Sequence, residues 1–222
     1  MSAFLAPIHY WLFNKIQRVE KREQRLFDLA SDMCGSTAEE LREQVWQSYG
    51  EPLPEKDLSE MIDQSNIHGW LQKQINIVES REAAFVKEMT AMCGDAGLQT
   101  ATKAFAEDGD ACGSDAKESG RYDLSTANGI YKAMNDYFLN GMPCDQADML
   151  VENSADKVVW QGGACLQEKN WTRAGIDAKP MTSLYRAWFV GFVQAANPAF
   201  AYAQTADILN GDSVSKHEIT RQ

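Results

Sequence analysis

Between residues 8 and 35 the apolar positions Leu12, Ile16 and Val19 recur three and four apart, while Lys15, Arg18, Lys21, Arg22 and Arg25 mostly take the remaining faces. On a helix turning about 100° per residue this spacing makes one apolar stripe with a polar back. Pro7 suits the first turn of that helix and Gly35 its C-cap. The pattern returns 59 residues later: Ile8-His9-x-Trp11-Leu12 falls on Ile67-His68-x-Trp70-Leu71, and Ile16 on Ile75. Val19-Glu20-x-Arg22-Glu23 falls on Val78-Glu79-x-Arg81-Glu82, and Met33-Cys34-Gly35 on Met92-Cys93-Gly94. That is 12 identities over 28 positions without a gap, and Gly50 still falls on Gly109. A period of this length marks a duplicated supersecondary unit.

Thr37 can cap a second helix through Leu41, Val45 and Trp46 to Gly50, before Pro52 and Pro54 break the chain. Asp57 to Ile62 reads as a short helix into the second copy, which is helical from about Ile67 to Met92, stops at Gly94 and resumes more weakly to Glu107. Asp108 to Gly120, dense in glycine and acid, reads as a solvated loop; it lacks the ligand order of an EF-hand. Asp123 or Ser125 can cap a helix from Leu124 to Leu139, ended by Gly141-Met142-Pro143. The periodicity then changes. Met149–Glu152 and Lys157–Gln161 flank a turn and predict a hairpin. Cys165 to Ala174 predicts a short helix ended by Gly175, and Thr182 to Ala196 an aromatic one stopped by Asn197-Pro198. Tyr202–Leu209 and Val214–Thr220 predict a second hairpin around Asn210-Gly211. The expectation is an α+β fold: a duplicated helical layer of two helix pairs (1–145, with the repeat over 8–51 and 67–110) and a small antiparallel sheet carrying a helix (146–222), packed as one unit.

With 44% hydrophobic residues, the 222-residue chain can bury a substantial core. Its net charge of −11 argues against nucleic acid or an anionic membrane as partner, because phosphates are bound by clustered Lys and Arg. No apolar run is long enough to span a bilayer, and the apolar start at Ala3–Phe13 lacks a basic leader, so the cytoplasm is the expected location. Five widely spaced cysteines make no disulfide framework; Cys34 and Cys93 read as small buried apolar residues. A small-molecule ligand is the expected partner, with a homo-oligomer left open.

From Val151 onward the chain resembles a family. The hairpin is followed by Cys165-Leu166-x-x-x-x-Trp171-x-x-x-Gly175, the aromatic helix ending Asn197-Pro198, and Thr205-x-x-Ile208-Leu209-Asn210-Gly211-Asp212. This stretch is similar to the L-2-amino-thiazoline-4-carboxylic acid hydrolase-like proteins and, more distantly, to the vinyl-4-reductase-type ligand-binding module. The resemblance implies hydrolysis of a C–N bond in a small, cyclic amidine-like, carboxylate-bearing molecule. Of the family's cysteines Cys165 is present, whereas Ser215 stands where relatives tend to carry one after the Gly-Asp turn.

Two groups of residues are candidates for chemistry. His9, Glu20 and Glu23 project to one side of the first long helix, and His68, Glu79 and Glu82 to one side of its copy. If the copies pack antiparallel, each histidine approaches the other copy's glutamates. Such clusters could bind a divalent metal, work as acid and base, or, through the two histidines, ligate haem. With Arg22 and Arg81 duplicated too, the same residues could instead form a buried network that fixes register. In the second group, Cys165 follows Gly162-Gly163 at a strand-to-helix turn and is a candidate nucleophile. Tyr185, Arg186 and Trp188 could line a pocket in which Arg186 pairs with a substrate carboxylate. His217, facing as Ile219 does, reads as a core or edge histidine. The two functional expectations are a hydrolase-like enzyme and a non-catalytic carrier or sensor of a small ligand, metal or haem.

Overall fold

The computed structural model describes residues 5–222. It is α+β: seven α-helices among the described residues and one four-stranded antiparallel sheet. Helices α1 (Pro7–Cys34) and α2 (Ser36–Tyr49) form the first copy. A short α3 (Leu58–Met61), capped by Asp57 accepting from the Ser59 N–H, leads into the kinked α4 (Ile67–Glu118). The kink is the second copy's corner. Gly94 has φ 56° and ψ −135°, and Gly35, between α1 and α2, has φ 60° and ψ −135°. At positive φ a side chain is strained, so glycine makes both corners.

The two copies lie parallel, not antiparallel. His9 touches His68 at one end, and further along Arg22 pairs with Glu82 and Arg81 with Glu23. Leu12, Ile16 and Val19 pack with Leu71, Ile75 and Val78 in a dry seam between them. The reason lies in the connection. Helix α2 runs back from the Gly35 corner, and residues 50–66 complete the return, so the second copy sets out from the end where the first began.

The segment from Asp108 to Glu118 is not a loop; it continues α4. Its glycines serve close packing rather than turning. They face α7 (Ala178–Ala196), where a Cβ on Gly109 would sit 2.1 Å from the Trp188 carbonyl oxygen and one on Gly113 2.3 Å from that of Phe192. Two of its acids are partnered from distant parts of the chain. Asp108 accepts from the Trp188 indole N–H at 2.8 Å, and Asp115 accepts from the Tyr137 hydroxyl at 2.7 Å and from Arg18 at 3.2 Å. Cys112, expected in that loop, is buried in the same helix. Gly109→Ala should therefore lower stability by about 2 kcal/mol in urea unfolding, the overpacking outweighing alanine's better helix propensity. An unchanged midpoint would mean the α4–α7 contact is looser than described.

Helix α5 (Ala127–Tyr137) is capped by Thr126, whose hydroxyl accepts from the Gly129 N–H at 3.2 Å. Asp123 and Ser125, the expected caps, instead bond each other in the preceding turn, at 2.6 Å. Strands β1 (Met149–Asn153) and β2 (Lys157–Gly162) form the first hairpin, with a bulge between Leu150 and Glu152. A short α6 (Glu168–Ala174) and α7 follow, then β3 (Phe200–Ala206) and β4 (Ser215–Arg221). The second hairpin is wider than the Asn-Gly signal predicts. A 3-10 turn at Ile208–Asn210, held by Asp207, precedes Gly211. Strand order is β1-β2-β4-β3, so the hairpins join through β2 and β4. Val158, Trp160, Phe200, Tyr202 and Ile219 are buried in one core with the aromatic face of α7. The other face of α7 lies against α4, so this helix joins the sheet to the duplicated layer.

Candidate functional site: an aromatic cavity between sheet and helices

The sheet and α7 do not close completely where β2 ends and β4 begins. There a cavity of about 100 Å³ opens, room for a small organic molecule. Its walls are largely aromatic: Tyr131, Phe138, Trp160, Trp171, Tyr185, Phe189 and Tyr202 all contribute. Polar groups converge among them, with Asn140, Asp148 and Gln167 toward β1 and Arg186, Gln204 and His217 toward β3 and β4. Walls of rings with a few directed polar groups are the usual make-up of a small-molecule site.

Cys165, Tyr185 and Arg186 lie in this cavity. Cys165 is half-buried and its thiol faces the Gln167 side-chain oxygen at 3.7 Å. Burial pushes that thiol up to about 11, so at neutral pH it is protonated and a weak nucleophile. Arg186 is exposed and donates to Gln204 Oε1 at 3.0 Å, which holds the guanidinium across β3. Trp188 is not part of the wall. It is 1% exposed, bonded to Asp108 and stacked on Phe192, because its position on α7 turns it toward α4 rather than the sheet.

Two wall residues carry more than the sequence conveyed. His217 stacks on Trp160, and its Nδ1 lies 2.8 Å from the Tyr202 hydroxyl. Burial pushes the imidazole down to about 4, so it is neutral at physiological pH. The clue was its facing: Ile219, two residues on, is fully buried on the same side. Trp171 is 3% exposed, and its indole N–H has no partner among the described residues. A buried donor left unpaired costs free energy. No sequence signal shows which indole will be left without an acceptor.

The duplicated histidines and glutamates do not converge. His9 and His68 meet each other at an exposed end of the seam, Nε2 to Nε2 at 3.4 Å, and the rings leave no space for a haem between them. The Ala6 N–H donates to His9 Nδ1 at 3.0 Å, which places the His9 proton on Nε2, pointing at His68. The glutamates lie deeper and pair with arginines. Arg22 forks onto Glu82 at 2.6 and 2.9 Å, and Arg81 reaches Glu23 at 2.6 Å and Glu20 at 3.1 Å. Burial opposes the Arg22 charge, yet the adjoining Glu82 holds that guanidinium protonated beyond its ordinary range. Symmetry breaks at Glu79, which accepts from Asn170 at 2.5 Å and whose carboxyl burial pushes up to about 7. Among the described residues no three of His, Cys, Asp and Glu gather as metal ligands would. The network does reach the cavity: the Tyr185 hydroxyl lies 3.4 Å from both Arg22 and Glu82 while its ring forms part of the wall.

No family model matches the chain, and no curated protein or solved structure matches it either.

Proposed function

We propose that the protein binds a small, planar, carboxylate-bearing ring compound in the aromatic cavity, as a carrier or sensor. The observation that carries this reading is the ring-walled cavity whose polar edge presents the exposed Arg186. Its guanidinium is a two-pronged donor for one anionic group, amid rings suited to stack on a planar ligand. Asp148, on the β1 side, can receive an N–H or a positive charge at the ligand's other end. The resemblance of the closing stretch to the hydrolase-like family points to the same ligand class. The five cysteines are free thiols, which suits a reducing compartment, and we place the protein in the cytoplasm. No helix of the described residues is long and apolar enough to cross a membrane.

A hydrolase is the second reading, favoured by Cys165 and His217 sharing the cavity. It ranks lower because the thiol is held protonated and the imidazole is a weak base. Intrinsic tryptophan fluorescence, titrated with heterocyclic carboxylates, tests the binding reading. Quenching should saturate for a member of the panel, and Arg186→Gln should weaken that binding about tenfold or more. A panel that leaves the emission unmoved, or affinity indifferent to Arg186, would count against it. Turnover of a bound compound that Cys165→Ala abolishes would establish the hydrolase instead.

A further inference from the structure

The sheet ends on two edge strands, β1 and β3, and they differ. Strand β1 is exposed along its whole length. Met149, Leu150 and Val151 are 59%, 45% and 51% exposed, whereas β3 carries no exposed large apolar residue. β1 packs chiefly on β2, so the N–H and C=O groups of its other edge have no strand beside them. Such an edge is a template for a further strand, and the bulge and Glu152 leave three apolar residues in a row on it. Leu150 lies opposite Trp160 and Asn153 opposite Val158, and both of those partners are core residues. Directly opposed residues share a face, so Leu150 and Asn153 point to the helix-facing side. There they line an open groove that α5 and the turn before it complete, with Arg121 and Lys132 in its lining. Both cations are exposed, and neither makes an ion pair among the described residues. The acids near them are engaged. Asp123 accepts from the Ser125 N–H and hydroxyl, and Asp136 from Trp11 and Tyr122. In a chain of net charge −11, this is a local patch of opposite sign beside an open strand edge.

We propose that β1 is a docking edge for an extended segment of another protein, one that alternates acidic and apolar residues. The segment adds as a fifth strand, and its main chain bonds to the free edge of Met149–Asn153. Residues of one parity turn their carboxylates to the helix-facing side, over Arg121 and Lys132. Those of the other parity lay apolar side chains against Met149, which opposes Gln161 on the outer face. A second copy of this chain fits the edge less well. Pairing β1 with itself, helix-facing side on helix-facing side, brings Arg121 and Lys132 toward their own equivalents. Three part-exposed side chains also fall short of the roughly 800 Å² per partner that a stable dimer buries. A short acidic segment meets neither objection, because its charge is opposite and main-chain bonds carry much of its affinity. Arg121, Lys132 and Leu150 lie outside the aromatic cavity, so this surface and the ligand-binding reading stand or fall separately.

The test selects binders of the full chain from a display library of random peptides of about seven residues. Recovered sequences should alternate acidic and apolar residues. One of them is synthesised with a fluorescent label, and its binding is read by anisotropy. Arg121→Glu and Lys132→Glu should each weaken it about fivefold or more, and binding should fade as salt rises. A proline at the middle of the peptide should abolish binding, because it removes a main-chain donor. Hydrogen exchange should slow at Met149–Asn153 when the peptide is bound and stay unchanged at Phe200–Ala206. Both substituted residues are exposed, and circular dichroism checks that each variant is folded. No enrichment, enrichment of basic sequences, affinity indifferent to both substitutions, or protection at β3 instead of β1 would overturn the proposal. So would a concentration-dependent dimer in light scattering whose assembly protects β1, since a second copy would then occupy the edge.

Discussion

Glu82→Ala should destabilise the protein by about 3–5 kcal/mol, read as a lowered urea midpoint with an unchanged slope. Glu82 is fully buried and its two oxygens take both donors of the Arg22 fork, while Tyr185 bonds to it as well. Removing the carboxylate leaves a guanidinium that is 4% exposed without the group it forks onto, and the acids that remain in its surroundings are bonded elsewhere, Asp108 to Trp188 and Glu79 to Asn170. Most of the loss is the cost of that stranded charge rather than the worth of the pair. The double variant Arg22→Met with Glu82→Leu should therefore recover much of the stability. If the single variant loses under about 1 kcal/mol, water must reach Arg22 and the seam cannot be as dry as described. Because Tyr185 belongs to both the network and the cavity wall, Glu82→Ala should also weaken ligand binding, which a purely structural seam would not do.

The second large effect depends on pH. Lys15 is 2% exposed; its ammonium lies 3.5 Å from the centre of the Trp11 ring and makes no ion pair among the described residues. Burial pushes it down from 10.5 to about 7, with Asp136 and Asp148 only partly restoring it. Between those two values the unfolded chain holds a proton that the folded chain has released. Stability therefore rises as pH climbs from 7 to 10.5 and is lowest below 7, where the buried charge is present in full. The full span corresponds to roughly 5 kcal/mol at 1.36 kcal/mol per unit. The second copy supplies the substitution to test: its equivalent position is Gln74, buried and uncharged. Lys15→Gln should be more stable than the unmutated protein by about 2–4 kcal/mol at pH 6, and by less than about 1 kcal/mol at pH 10. Equal stability of the two proteins at both pH values would mean that Lys15 finds solvent.

The outline of this fold was legible because duplication preserved whole phrases of sequence and because the hairpins carry strong turn signals. Orientation was not legible. Matching stripes on two helices serve parallel and antiparallel packing equally well, and only the way residues 50–66 complete the return decides between them. Asp108 to Gly120 misled for a related reason. Glycine marks a turn and a close helix crossing alike, and Trp188, Tyr137 and Arg18, which bond Asp108 and Asp115, lie far off in the chain. At the candidate site, Cys165, Tyr185 and Arg186 could be found from motif and residue chemistry. So could the facing of His217, from the buried Ile219 two residues on; the unpaired Trp171 donor could not, because it depends on an acceptor that the fold fails to supply.

The parallel seam also says something about ancestry. Two duplicated units running side by side, with equivalent histidines touching and equivalent Arg–Glu pairs crossing between them, have the geometry of a symmetric homodimer whose axis lies along the helices. Gene fusion would preserve that geometry provided a tether spanned from the end of one subunit to the beginning of the next, which is what residues 50–66 do. Once tethered, the halves were free to diverge. One kept Glu20 on its arginine partner, while the other gave Glu79 to Asn170 in the sheet-bearing part of the chain.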